Sequence, residues 1–410
     1  MPWPGHPYTK ISDRAGEPVP EGKAKDHMPK TIAILLDGTS NEIKCDRSNV
    51  LRLYGTLQKN EEQLVLYDPG VGTFGSEGAW SRLRRKGAEV WGLATGWGLD
   101  ENVKQSYRFL VENYERGKGG DDRDRIAIFG FSRGAYTARV LAGFINAFGL
   151  MERQQLNLLD YAYRAYKRIG EDGAEDAFAE IRLFDRIVRP DHPPIRFLGL
   201  FDTVASVIEN GRSGIRLKSH AFTSNNRSVE TVVHAVAIDE KRTMFRPQLW
   251  GQEREYHAGP FDNGKGMPQD VHEVWFAGGH GDVGGGYPEQ ESALCKVPLL
   301  WMIDHAERCG LRFSMRSVNS LVHGKYDHAR YVPPDPQGAM HDTMTLGWSV
   351  LEFLPRKLPA HSRRPSILGI GLPLFEARYI PAGASIHTSV SRRIERTGYQ
   401  PENLRRSQEP

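Results

Sequence analysis

The sequence predicts an α/β fold, a mostly parallel central sheet with helices on both faces, on three observations. Short uninterrupted apolar runs recur along the chain and end at polar or glycine-rich turns, as strands buried on both faces do. Stretches with helical periodicity or helix-forming composition separate them. One strand-like run, RIAIF at residues 125 to 129, is joined to one helix-like run, AYTARVLAGFINAF at 135 to 148, by the pentapeptide GFSRG.

In chain order, residues 1 to 29 carry prolines and charges without periodicity and read as a flexible tail. That tail lacks the continuous apolar segment of a signal peptide. No stretch reaches the roughly 20 apolar residues of a spanning helix, so a cytoplasmic protein on synthesis is expected. TIAILL at 31 to 36 is a buried-strand run that stops at Asp37-Gly38-Thr39. ENVKQSYRFLVENY at 101 to 114 places Val103, Tyr107, Leu110, Val111 and Tyr114 at three- and four-residue intervals, one face of a helix. Residues 151 to about 190 read as inserted helices. RFLGLF at 196 to 201 is a strand ending at Asp202, and ETVVHAVAI at 230 to 238 and EVWF at 273 to 276 continue the series. The last of these runs into AGGHGDVGGG at 277 to 286. A second helical insertion is expected at about 310 to 375, and a flexible tail at 396 to 410, leaving one domain over 30 to 395.

Composition narrows the function classes. Hydrophobic residues at 39% and charged residues at 26% suit a globular chain rather than a disordered or membrane-embedded one. With 54 Lys+Arg against 51 Asp+Glu, no basic field selects nucleic acid. Cys45, Cys295 and Cys309 stand in unrelated contexts, which predicts neither a disulfide framework nor a zinc site. The glycine run at 284 to 286 lacks the lysine of a phosphate-binding loop and the spacing of a dinucleotide fingerprint, so no cofactor is expected.

A serine flanked by glycines between a strand and a helix is the pattern of a nucleophile elbow, in which a tight, strained turn exposes the hydroxyl. Among 43 glycines the five-residue pattern alone is weak, and its strand-turn-helix context makes Ser132 the candidate nucleophile. A serine hydroxyl needs a histidine to take its proton and a carboxylate to orient that histidine. In α/β-hydrolases these follow in the order Ser, Asp or Glu, His, each after a later strand. Asp202 and His280 satisfy that order, although Asp202 also reads as an ordinary turn or cap residue. Of the 14 histidines, His387 in ASIHTSV is the rival base, His234 reads as a core residue, and His341 has no strand-end context. Two N–H donors must hold the oxyanion. Arg133 is the first expected, and Gly38 or Thr39 the second, with the alternative that Asp37 merely organises its loop. Asp282 is a candidate to orient His280 or to bind a cation with Asp37.

Several motifs recur together in order: DGT at 37 to 39, YDPGVGT at 67 to 73, GWGLDENV at 96 to 103, GFSRGAYTAR at 130 to 139, FDTVASV at 201 to 207, HAVAIDEKR at 234 to 242 and WFAGGHGDVGGGY at 275 to 287. Over roughly residues 31 to 390 the chain resembles the α/β-hydrolase family that includes phospholipase effectors of the type VI secretion system. The resemblance implies an α/β-hydrolase fold and hydrolysis of glycerophospholipid acyl esters by a triad of Ser132, Asp202 and His280. It also implies export by that secretion apparatus and an immunity partner. The expected function is therefore a serine esterase or lipase, with a lipid or other acyl ester as substrate. A catalytically weak interaction or delivery protein on the same fold is the alternative, and metal-dependent phosphatase chemistry around Asp37 and Asp282 ranks last. Trp80, Trp91 and Trp97 are candidates for peripheral membrane contact, and segments 151 to 190 and 310 to 375 for a cap.

Overall fold

The computed structural model of the chain describes residues 27–38, 47–70, 97–169, 174–204, 208–211, 214–217, 220–251, 254–257, 264, 266–327, 330–359 and 361–407. Seven strands form one sheet: β1 (Thr31–Leu36), β2 (Gln63–Asp68), β3 (Arg125–Phe131), β4 (Ile195–Phe201), β5 (Val229–Ala237), β6 (Asp270–Phe276) and β7 (Ser385–Ile386). Their spatial order is β7-β6-β5-β4-β3-β1-β2, and every neighbouring pair is parallel. The expected parallel α/β sheet is what the chain builds.

The apolar runs are explained by the two faces. In β1, Ile32, Ile34 and Leu36 enter one hydrophobic cluster while Ala33 and Leu35 enter another, the two-residue alternation of a strand covered on both sides. The first cluster is closed by α2 (Trp97–Asn113), α3 (Arg133–Phe148), α4 (Leu159–Arg168) and α5 (Ala174–Val188). On the opposite face lie α1 (Asn49–Thr56) and α6 (Lys296–Arg308). Every residue of α3 from Gly134 to Phe148 is buried. The reason is a second helical layer: Tyr163 and Tyr166 of α4 pack on Phe144, and Phe184 of α5 packs edge-on against Phe148. The insertion at 151 to 190 thus covers α3.

The insertion at 310 to 375 is helical only in part. It holds a helical turn, Met315–Ser317, that runs into the π-helical Val318–Val322, then α7 (Leu346–Glu352) and a three-stranded antiparallel sheet of Arg356–Lys357, Ser366–Ile367 and Ile370–Gly371. The chain end differs too. After α8 (Thr388–Thr397), residues expected as a tail form α9 (Glu402–Ser407), where Leu404 is buried and Asn403 Nδ2 donates to the carbonyls of Ile238 and Arg378 at 2.9 and 3.1 Å. The edge strand β7 has only two residues, and these helices complete the cover of Val236 and Trp275.

This topology fixes where a site forms. The chain passes from β1 outward to β2 and returns to β3 on the other side of β1. At such a reversal the connections diverge, leaving a crevice at the carboxyl ends of the two strands. Asp37 and Ser132 stand at those ends.

Candidate active site

Ser132 sits between the last residue of β3 and the first of α3, with φ 58° and ψ −122°. A non-glycine residue in that region is strained, and such strain persists only where the surroundings fix it. Here both flanking glycines do so. A Cβ on Gly130 would lie 2.5 Å from the carbonyl oxygen of Gly134, and one on Gly134 would lie 2.2 Å from that of Leu36. The Ser132 N–H donates to Phe201 O at 3.1 Å, and Ser132 O accepts from Tyr136 N. Gly134→Ala is therefore expected to force β1 and the elbow apart, destabilising the fold by about 1–3 kcal/mol. A urea melt and the rate of ester hydrolysis check this, both falling relative to wild type.

Phe201, which holds the Ser132 N–H, immediately precedes Asp202. Asp202 is fully buried, with φ 39°. Its Oδ2 lies 2.5 Å from His280 Nδ1, and its Oδ1 accepts from Ala237 N at 3.0 Å. Arg378 clamps both oxygens, with Nη1 to Oδ1 at 2.6 Å and Nη2 to Oδ2 at 2.9 Å. Burial alone would push this carboxyl up, but the Arg378 charge and the His280 bond outweigh it and hold the group well below the usual carboxylate range.

His280 opens a single helical turn, His280–Gly284, at the end of β6. Its ring packs on Phe131, the residue before Ser132, with centroids 4.7 Å apart, and meets Phe245 edge-on at 5.0 Å. Its N–H donates to Glu240 Oε2 at 3.1 Å. With Nδ1 on Asp202, Nε2 is buried and has no hydrogen-bond partner among the described residues. Buried polar atoms are mostly paired, and this nitrogen is one of several buried side-chain atoms among the described residues that are not. The glycines after His280 serve packing: a Cβ on Gly284 would fall 1.8 Å from the Phe131 ring, and Gly285, at φ 83°, bridges to Ser48.

The remaining candidates separate cleanly. His387 caps α8, its Nδ1 2.8 Å from Ser389 Oγ, and its ring stacks on Phe276 at the sheet edge. Strand β7, which leads to it, is four positions from β3, on the order of 19 Å at the usual strand spacing. His234 is the core residue the sequence indicated, with Nδ1 2.9 Å from Glu273 and Nε2 accepting from Thr203 N. Asp282 does not orient His280. Its Oδ1 lies 2.7 Å from His341 Nδ1, and its Oδ2 accepts from the N–H groups of Gly279 and His341. Nor does it meet Asp37, which accepts from Ser48 Oγ, from Tyr67 OH at 2.8 Å and from Gly38 N at 2.7 Å. That last bond removes Gly38 as an open oxyanion donor, because the neighbouring carboxylate already takes its N–H. Thr39, Trp80 and Trp91 lie outside the described residues, as does the Trp97 side chain. Arg133 supplies the first N–H of the 16-residue helix α3, where backbone donors point outward from the helix start.

Two residues not among the sequence candidates complete the site, Arg378 outside every quoted motif and Glu240 within HAVAIDEKR. Arg378 lies 176 positions after Asp202 in an irregular stretch that no motif marks. Glu240, buried, accepts from Arg242 Nε and Nη2, both at 2.8 Å. Burial pushes its carboxyl up, but the Arg242 fork holds it down at about 2. The Arg242 guanidinium in turn lies 3.7 Å over the Phe245 ring that abuts His280.

Comparison with known proteins gives this site a context. A protein of unknown function from Saccharomyces cerevisiae, YEL023C, is 32% identical over 231 residues, covering 53% of this chain and 32% of that protein. The chain thus spans about a third of that relative's length. Among solved structures, an uncharacterized protein from Pseudomonas aeruginosa aligns at 21% identity with a TM-score of 0.39, over 70% of this chain and 47% of the other. A Tle1 effector solved bound to the VgrG spike of the type VI secretion system aligns at 22% with a TM-score of 0.33, over 66% and 54%. The family profile described as the T6SS phospholipase effector Tle1-like catalytic domain matches residues 30–305, a span that holds Ser132, Asp202 and His280. The chain belongs to the Tle1-like phospholipase effector catalytic-domain family.

Proposed function

We propose that this protein is a serine hydrolase that cleaves acyl esters of glycerophospholipids. The observation that carries the proposal is the Asp202–His280 pair with its open Nε2, set beside the strained elbow at Ser132. In this reading Ser132 Oγ attacks the ester carbonyl carbon and passes its proton to His280 Nε2. The tetrahedral oxygen takes the negative charge, and the Arg133 N–H at the start of α3 donates to it. Collapse breaks the ester C–O bond, and the imidazolium returns the proton to the leaving alcohol. Water then repeats the sequence on the acyl-serine, releasing a fatty acid and restoring Ser132. Asp202 stays ionised throughout, held by Arg378, and keeps His280 Nδ1 protonated and oriented.

The family description concerns secreted effectors, whereas similarity also extends to a yeast protein. The proposal therefore rests on hydrolysis and not on a delivery setting. Export through a type VI apparatus and neutralisation by an immunity protein are proposed from the family alone. Among the described residues no helix is long and apolar enough to cross a membrane.

The test is labelling with a fluorophosphonate probe followed by peptide mass analysis, alongside fatty-acid release from phospholipid vesicles. Adduct on the peptide containing Ser132 and release of free fatty acid are expected. A folded protein that takes no label and releases none would be a binding protein on a hydrolase fold.

A further inference from the structure

We propose that the hairpin Ser366–Gly371 is an anchor that inserts into an anionic lipid surface and holds the protein there. The proposal rests on the lipolytic function above for its biological sense, but its observations are separate. The strands Ser366–Ile367 and Ile370–Gly371 pair antiparallel with Ile367 opposite Ile370. The turn between them is Leu368-Gly369, with φ of 52° and 77°. A two-residue turn with both residues left-handed is served by Asn-Gly or Gly-Gly, since an L side chain with a Cβ is strained there. Leucine is thus a poor choice for the turn. It is also a poor choice for water: Leu368 is 96% exposed, next to Ile367 at 82% and Ile370 at 51%. A tip selected only for folding in water would avoid both penalties with asparagine. Two independent mismatches on one residue indicate a function outside the fold.

The charges around the tip identify its occupant. From Glu352 to Glu376 the chain holds Arg356, Lys357, Arg363 and Arg364 against two carboxylates, Glu352, which is buried, and Glu376, which accepts from Ser362 Oγ and Arg363 N, so the exposed balance is cationic. Lys357 pairs across from Ile370, and both Lys357 and Arg363 are exposed. An apolar tip backed by cations complements an anionic bilayer. The tip enters the acyl region while the ammonium and guanidinium groups remain at the headgroups. The placement also suits lipolysis. Pro359, His361, Arg363 and Tyr379 border a cavity of about 410 Å³ that Phe245 and Arg378 also line. Those last two residues touch His280 and Asp202. Docking through the hairpin brings this rim to the lipid.

The experiment is co-sedimentation of the full chain with vesicles of phosphatidylcholine, with and without phosphatidylglycerol. It is run on a Ser132→Ala background so that hydrolysis does not consume the vesicles. Binding is expected to require the anionic lipid and to weaken with salt. Adding Leu368→Asn is expected to lower the partition coefficient by about tenfold or more, the factor that burying one leucine supplies. In the otherwise wild-type chain, Leu368→Asn should leave hydrolysis of a soluble short-chain ester unchanged and the melting temperature equal or higher. Equal vesicle binding by the variant, or no binding by the parent, overturns the proposal. So does loss of a self-associated species on size exclusion without loss of vesicle binding, since the tip would then serve a second copy. Failure to hydrolyse any ester while vesicle binding persists would refute the lipolytic function and leave the anchor standing.

Discussion

Replacing Ser132 by alanine is expected to lower turnover of a short-chain acyl ester by about 10⁴-fold or more, with secondary structure and melting temperature retained. The hydroxyl is half-buried at the end of β3, and its backbone is held by the Phe201 and Tyr136 hydrogen bonds, so the elbow does not depend on Oγ. His280→Ala should produce a loss of the same order. The double variant should be scarcely worse than either single one, because nucleophile and base act as a unit. His387→Ala should stay within a few-fold of wild type, since that imidazole caps α8 and stacks on Phe276. Steady-state rates for the four variants check the assignment. A large loss in His387→Ala with little in His280→Ala would reverse it.

Arg378→Leu is expected to destabilise the protein by about 3–5 kcal/mol, the range found when one partner of a buried ion pair is removed. The guanidinium bonds both Asp202 oxygens and also donates to the carbonyls of Ala237 at 2.9 Å and Phe245 at 2.5 Å. Without it, the Asp202 carboxylate, fully buried, keeps only the His280 and Ala237 N–H contacts among the described residues. The pH dependence follows from the direction of the Asp202 shift. Its folded carboxyl is held below the unfolded value of about 3.9. The stabilisation is therefore complete above that value and is lost as pH falls through the lower folded one. In wild type, urea midpoints should decline below about pH 4 in part through this pair. In Arg378→Leu the carboxyl loses its main countercharge, so its folded value rises toward the unfolded one and that part of the decline should shrink. Identical pH profiles for the two proteins would show that the clamp does not govern Asp202.

Much of the sheet was legible because its strands are covered on both faces. TIAILL is β1 without adjustment, and RIAIF, RFLGLF, ETVVHAVAI and EVWF each fall on a strand within a few residues. The elbow was legible because close backbone approach demands glycine, and Gly130 and Gly134 stand where a Cβ would strike backbone atoms. Chain order brought out Asp202 and His280, and the fold joins them at 2.5 Å. What stayed hidden depends on contacts distant in sequence. Arg378 gains its meaning only when β4 and the chain after α7 meet, and no periodicity announces that. Asp282 was misplaced because adjacency to His280 in sequence suggested a partnership, whereas the helical turn aims its carboxylate at His341. The 310 to 375 segment was legible only in part: Val318 and Val322 lie on a helical stretch packed into the core, whereas Ile367, Leu368 and Ile370 serve a small sheet and an exposed tip.

The Arg378 clamp bears on where this chain can be divided. Family similarity ends at residue 305, after the serine, the aspartate and the histidine have all been supplied. The cation that makes the buried aspartate tolerable comes 73 positions later, from 378 − 305. Strand β7 and the helices covering Trp275 also lie beyond that boundary. A fragment trimmed to the recognised region would carry every proposed reacting group and yet be mismatched in charge at its centre. In transplanting or shortening this chain, the portable unit is the circuit of countercharges, which runs past the recognised region to at least Arg378.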